Sequence, residues 1–202
     1  MTLLLASSNP GKLAEFARLL APLRLTTPAE LGVVLALDET GESYAANATL
    51  KARAFAAASG AIALADDSGL EVDALNGTPG VFSARFGGPG LTDAQRCSLL
   101  LEKLAALPPR TGRRARFRCC VAAAAPDGRT CTATGVLEGE IATEARGTQG
   151  FGYDPVFLLP RLGRTVAELS PAEKDEFSHR ARAIRRLRPL LLEVFPELAP
   201  GD

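Results

Sequence analysis

Apolar and polar positions alternate along the chain in blocks of strand length and blocks with helical spacing. Thr2 to Ala6 is a continuous apolar run too short for a helix and predicts a buried first strand. Asn9 then supplies a helix N-cap and Pro10 the first helical position. Leu13, Phe16, Ala17 and Leu20 recur at helical spacing, predicting a helix to about Leu20 that lays this stripe on a sheet. A second helix is predicted over Ser43 to Ser59, capped by Ser43 and stopped by Gly60. Ala61 to Ala65 reads as a buried strand that delivers Asp66 and Asp67 to the carboxyl edge of the sheet, with a turn at Ser68-Gly69.

Leu70 to Ala74 and Val81 to Phe86 read as two more strands, linked by Gly77-Thr78-Pro79-Gly80, and Thr92 to Leu107 as a helix ended by Pro108-Pro109. Arg110 to Arg114 reads as a linker. Arg116 to Ala125 and Arg129 to Ile141 flank Pro126-Asp127-Gly128 and predict a hairpin. Thr143 to Pro155 is glycine-rich and irregular. Ser170-Pro171 opens a helical region in which Pro189 is expected to kink or break the last helix. Strands alternating with helices in this way predict an α/β class.

With 202 residues and 47% of them hydrophobic, the chain can bury one sizeable core and is expected to form a single domain, residues 1–202. Lys plus Arg and Asp plus Glu both number 23, so the overall charge favours neither a nucleic-acid polymer nor an anionic membrane. No apolar run approaches the roughly 18 residues of a membrane-spanning helix, and the N-terminus carries no secretory signal pattern, so a cytoplasmic protein is expected. Cys97, Cys119, Cys120 and Cys131 lack C-x-x-C spacing and read as reduced, small core residues. Arg114, Arg116 and Arg118 share one strand face and read as solvated charge on an edge strand.

Candidate chemistry begins at Asp66 and Asp67. Successive strand residues face opposite ways, so one carboxylate can enter a site while its neighbour serves the local backbone. The loop Ser7, Ser8, Asn9, Pro10, Gly11 and Lys12 joins a strand to a helix N-terminus, where backbone donors and a positive dipole end suit phosphate oxygens. It lacks the second glycine and the following Ser or Thr of a P-loop. His179, the single histidine, sits beside Arg180 and five residues after Lys174, a group of donors suited to a keto-purine edge or to phosphates.

Four motifs in order, Ser7 to Lys12, Ala63 to Gly88 with its Asp66-Asp67 pair, Gly150 to Pro155, and Ser178-His179-Arg180, resemble the inosine triphosphate pyrophosphohydrolase family end to end. The resemblance implies an α/β fold with an elongated mixed β-sheet flanked by helices, in two lobes with the active-site cleft between them. It also implies a homodimer and a Mg2+-dependent cleavage of deaminated purine nucleoside triphosphates (ITP, dITP, XTP) to the monophosphate and pyrophosphate. On the matching positions it implies Asp67 as the catalytic, water-activating carboxylate and Glu39 with Asp67 as metal ligands. Ser7, Ser8, Asn9, Pro10, Gly11, Lys12, Ser68, Phe151, Gly152, Tyr153, Asp154, Lys174, His179 and Arg180 are the implied substrate contacts, with Phe151 or Tyr153 as the surface on which the base stacks. The chain departs from the family pattern at Ala46-Asn47, where a Glu-Asn pair is usual. A pyrophosphatase for modified pyrimidines or dTTP/UTP, and a non-catalytic nucleotide sensor, are the alternatives; the sensor would be favoured by a missing carboxylate or lysine, and Asp67, Glu39 and Lys12 are all present.

Overall fold

The computed structural model describes residues 2–37, 43–108 and 110–199. Its sheet has seven strands in the order β2-β1-β3-β4-β5-β6-β7. These are β1 (Thr2–Leu5), β2 (Arg24–Thr26), β3 (Ala63–Val72), β4 (Arg114–Ala124), β5 (Thr130–Ile141), β6 (Phe157–Leu159) and β7 (Arg164–Thr165). The sheet is mixed: β1 runs parallel to both β2 and β3, whereas β5 with β6 and β6 with β7 are antiparallel. The helices are α1 (Pro10–Leu20), α2 (Tyr44–Ser59), α3 (Asp93–Ala105), α4 (Pro171–Phe177) and α5 (His179–Val194).

The helix-start signals act as expected. Asn9 accepts the Lys12 N–H at 3.0 Å, Ser43 accepts the Ala46 N–H at 3.2 Å, and Gly60 closes α2 with φ 69°. The buried stripe of α1 is rotated, however. Glu15 is buried with Phe16 and Leu20, while Ala17 is exposed. The rotation is explained by an arginine that meets Glu15, described below.

Two compact units divide the chain. The first comprises residues 1–67, 119–135 and 179–202. Strand alternation sorts its core by parity. Leu3, Leu5, Leu64, Cys119, Val121 and Ala123 pack with α1 and α5 through Phe16, Leu20, Ile184 and Leu187. Leu4, Ala6, Ala63, Ala65, Cys120, Ala122 and Ala124 face α2 through Ala48, Ala52 and Ala56. Both faces are therefore covered, and their strands read as continuous apolar runs. α5 continues through Pro189 to Val194 without being broken, because Leu187 and Leu191 on either side are anchored in this core and Pro189 itself is exposed.

The second unit comprises residues 68–118 and 136–178, with a core of Leu70, Val72, Leu100, Phe117, Ile141, Val156 and Phe157. Phe117 and Phe157 stack with centroids 4.3 Å apart.

Three readings of the sequence are corrected. Strand β3 does not stop at Ala65 but runs unbroken to Val72, absorbing the Ser68-Gly69 turn and the strand expected from Leu70. Parallel pairing with β1 ends at Leu5 with Leu64, yet β3 goes on with β4 as its other neighbour, so the ladder survives past the acidic pair. Val81 to Phe86 is not a strand: Gly80–Arg85 is a 3-10 helix that turns inward on buried Ser83, whose hydroxyl donates to the Gly80 carbonyl and accepts the Leu70 N–H. Third, β4 is an interior strand. Arg118 binds Glu71 at 2.8 Å, and Arg116 lies 3.5 Å from Glu71 and 3.4 Å from Glu138, so these arginines answer acids on the neighbouring strands. The hairpin turn at Pro126-Asp127-Gly128 forms as expected.

Candidate active site

Asp66 and Asp67 are buried in the middle of β3, just beyond the residue where β1 ceases to pair. Alternation sends them to opposite faces of the sheet, into two different environments. Asp66 points to the α1/α5 side. The Lys12 ammonium reaches its Oδ1 at 2.9 Å and the Arg180 guanidinium its Oδ2 at 3.3 Å. Arg180 is 1% exposed, also donates to Glu15, and lies over the Phe16 ring at 5.6 Å.

Burial by itself would raise the Asp66 pKa, but the charges of Lys12, Arg180 and Lys51 outweigh it and hold the carboxyl well below the usual range. Arg180 is likewise opposed by burial and kept charged by Asp66 and Glu15. Asp66 is therefore an anion committed to lysine and arginine. This network ties α1, β3 and the first turn of α5 together.

Asp67 faces α2, where the Asn47 amide donates to its Oδ2 at 2.8 Å. The carboxylates are thus split between the two faces, as alternation predicts, but the neighbour of Asp67 serves Lys12 and Arg180 instead of the local backbone, while Asp67 meets the Asn47 amide. Asn47 and Lys51 lie one helical turn apart on α2, so the same helix orients Asp67 and adds positive charge toward Asp66. Ala46, where the family pattern has Glu, is exposed and lines a cavity of about 710 Å³ with Ala45, Thr49, Leu50, Arg53, Ala54 and Thr132. Among the described residues that line it there is no carboxylate.

The phosphate-loop candidates sit together between β1 and α1. The Ser7 hydroxyl oxygen accepts the Asn9 N–H at 3.2 Å, Ser8, Asn9 and Pro10 are exposed, and Gly11 is half-buried. Ser68 follows Asp67 as a half-buried strand residue. His179 is buried and opens α5. Its carbonyl passes so close to β5 that a Cβ on Gly135 would lie 2.0 Å from it. Glu39 lies outside the described residues.

Lys174 belongs to the second unit, whereas His179 and Arg180 belong to the first. Lys174 is buried, binds the Asp154 Oδ2 at 2.5 Å, and stands 5.0 Å from the Phe151 ring centroid. Asp154 Oδ2 also accepts the Phe151 N–H at 3.0 Å. Gly150 makes room for that carboxylate: a Cβ there would sit 2.0 Å from Asp154 Oδ2, and its φ is +77°. Gly152 donates its N–H to Asp93 at 2.7 Å. Of the two aromatic candidates, Tyr153 is buried with its hydroxyl donating to the Ser83 carbonyl at 2.9 Å, and Phe151 is the half-buried ring.

Glu15, Asn47, Lys51 and Asp93 were not singled out from the sequence. Glu15 falls off the predicted stripe of Leu13, Phe16, Ala17 and Leu20, where a charged residue is ordinary. Asn47, Lys51 and Asp93 are ordinary helix polar residues until the segments that meet them are known.

The described residues hold no group of three or more His, Cys, Asp or Glu fit to bind a metal ion. The four cysteines are free, and burial raises Cys97 to about 12 and Cys120 to about 11, so neither is a thiolate nucleophile at neutral pH.

Residues 3–190 match the Ham1 family. A dITP/XTP pyrophosphatase of Exiguobacterium sibiricum is 47% identical over 98% of the chain and 100% of its own length. The structure of a HAM1 protein from Coxiella burnetii superposes with a TM-score of 0.85 at 44% identity, covering 96% of this chain and 99% of the other. The Staphylococcus aureus Ham1 protein gives 0.84 at 40% identity, over 96% and 99%.

Proposed function

Because this chain belongs to the Ham1 family, we propose that it hydrolyses deaminated purine nucleoside triphosphates, ITP, dITP and XTP, to the monophosphate and pyrophosphate. The observation that carries the reading is the division of labour at Asp66-Asp67, in a chain that aligns end to end with a relative named for this activity.

Phosphoanhydride cleavage asks for charge neutralisation, a positioned nucleophile and in-line geometry. Asp67 is the group that orients the attacking water and takes its proton. The Asn47 amide helps to fix its rotation. Asp66 cannot share that role while Lys12 and Arg180 hold its charge. Lys12 also serves the phosphates from the first turn of α1, where the N-terminal backbone donors of the helix lie.

The donor set suits magnesium, which takes hard oxygen ligands, usually one or two carboxylates plus substrate phosphates and waters. Asp67, with Glu39, would hold it. When bound, the ion supplies charge neutralisation and lowers the pKa of a coordinated water. In the second unit, the half-buried Phe151 ring offers the stacking surface for a base, with Lys174 as the adjacent donor. Hypoxanthine and xanthine present O6 as an acceptor where adenine presents a donor, so fixed donors reject adenine by leaving buried groups unpaired. A cytoplasmic homodimer completes the proposal.

The test is pyrophosphate release with magnesium across ITP, XTP, dTTP, ATP and GTP. Preference for ITP and XTP supports the reading. Preference for dTTP would move the enzyme to pyrimidine substrates, and pyrophosphate release from none of the five would leave the sensor.

A further inference from the structure

We propose that Asp93 is a positioning residue for the base-contacting loop, acting through the Gly152 N–H and so setting where Phe151 lies. The inference rests on the proposed function, since it assigns that loop to the purine. Phe151 is held from one side by Asp154, which accepts its N–H at 3.0 Å. Asp154 belongs to the same loop, and the Lys174 ammonium at 2.5 Å ties it to α4. That leaves the peptide after Phe151 to be fixed by something else.

The first turn of α3 supplies it. Asp93 Oδ2 accepts the Gly152 N–H at 2.7 Å, and the Cys97 thiol, one helical turn further on, donates to the Gly152 carbonyl at 3.4 Å. Both polar groups of one residue are thus held by one helix face. That helix has its own N-cap in Thr92, which forms a reciprocal box with Gln95. Asp93 is therefore not consumed in capping, and its side chain reaches 59 residues along the chain to the loop. A charge-assisted bond to a backbone donor is among the stronger polar contacts, and it is directional. Gly152 has φ +63°, which sets the direction of its N–H.

Asp93 also lies in the first turn of α3, where a negative charge favours the helix dipole, so a plain loss of activity would not separate the two roles. Asp93→Asn and Asp93→Ala do. Both remove the charge, but Asn keeps an acceptor for the Gly152 N–H. A dipole role is lost equally in both. A positioning role is lost in Ala and largely kept in Asn.

Steady-state kinetics with ITP, inhibition by inorganic pyrophosphate, and melting temperature are measured for the wild type and both variants. D93A is expected to raise KM for ITP about tenfold with kcat within about threefold of wild type, since uniform binding is what a displaced platform removes. D93N should stay within about threefold of wild-type KM. Pyrophosphate inhibition should be unchanged in both, because it contains no base. Equal KM values in D93A and wild type, equal damage in D93A and D93N, or a parallel loss of pyrophosphate inhibition would each overturn the inference. A wild-type protein that does not turn over ITP would remove the proposed function itself, and the inference with it. An ITP-active wild type with an indifferent D93A removes the inference alone.

Discussion

Replacing each member of the Asp66-Asp67 pair by Asn should damage different properties of the protein. Asp66 is fully buried between Lys12 at 2.9 Å and Arg180 at 3.3 Å, and its carboxyl is held below its ordinary pKa by these charges. Asp66→Asn keeps the shape and one acceptor but leaves the guanidinium with Glu15 as its buried counter-charge. Removing one partner of a buried ion pair costs about 3–5 kcal/mol, and the retained acceptor places this change near 3. For a chain of 202 residues that is a fall in melting temperature of roughly 6–12 °C. Asp67→Asn keeps an oxygen that can still accept from Asn47 and is expected to show itself mainly in turnover, which falls by roughly 10² to 10⁴ through loss of the general base. The assay is thermal melting of both variants beside pyrophosphate release from ITP, well below either melting point. D66N melting within about 2 °C of wild type, or a larger thermal loss in D67N than in D66N, would refute the assignment.

The pH dependence has a fixed sign: with the folded pKa of Asp66 below the unfolded value of about 3.9, the advantage of wild type over D66N is complete above that value and is lost as pH falls through the folded pKa, which urea melts at pH 7, 4 and 3 would follow. Lys12→Ala should raise KM for ITP more than it lowers kcat, because its charge meets phosphates in ground and transition states alike; an unchanged KM would place Lys12 outside the site. Gly135→Ala puts a methyl 2.0 Å from the His179 carbonyl and 2.5 Å from the Ala183 nitrogen, both backbone atoms, and should cost more than about 3 kcal/mol by denaturant melt. Wild-type kcat/KM for ITP should exceed that for ATP by about 10² or more, and His179→Ala should shrink that ratio; equal activity on ITP and ATP would contradict the deaminated-purine assignment.

Elements closed by local chemistry were legible before any coordinates. Asn9-Pro10, Ser43, Gly60 and the Pro126-Asp127-Gly128 turn each satisfy or shape backbone within a few residues, and each sits where its spacing placed it. The helix-length break around Val81 to Phe86 was not legible, because the Ser83 hydroxyl that stabilises it answers a Leu70 N–H contributed by another element. The length of β3 was hidden for the same reason: two acids and Ser-Gly read as a turn until β4 is known to lie beside them. At the site, the split between Asp66 and Asp67 followed from strand alternation alone. That Lys12 and Arg180 would meet Asp66 did not, since they are separated from it by 54 and 114 residues.

The parity of β3 makes the two acids a matter of counting. Ala63 and Ala65 face α2 with Asp67, and Leu64 faces α1 and α5 with Asp66. A single residue deleted between Ile62 and Ala65, with the strand otherwise in register, would bring the second acid before the lysine and arginine and carry the first to the place of Ala65, whereas an insertion would bring the first acid before the asparagine and carry the second to the place of Ser68. The composition would hardly change, and every side chain of the site would still be present. Point substitutions can therefore adjust this pair gradually, but a change of one residue in length takes one acid away from its partners in a single step, so the spacing from β1 to the acids matters to the proposed site as much as the acids do.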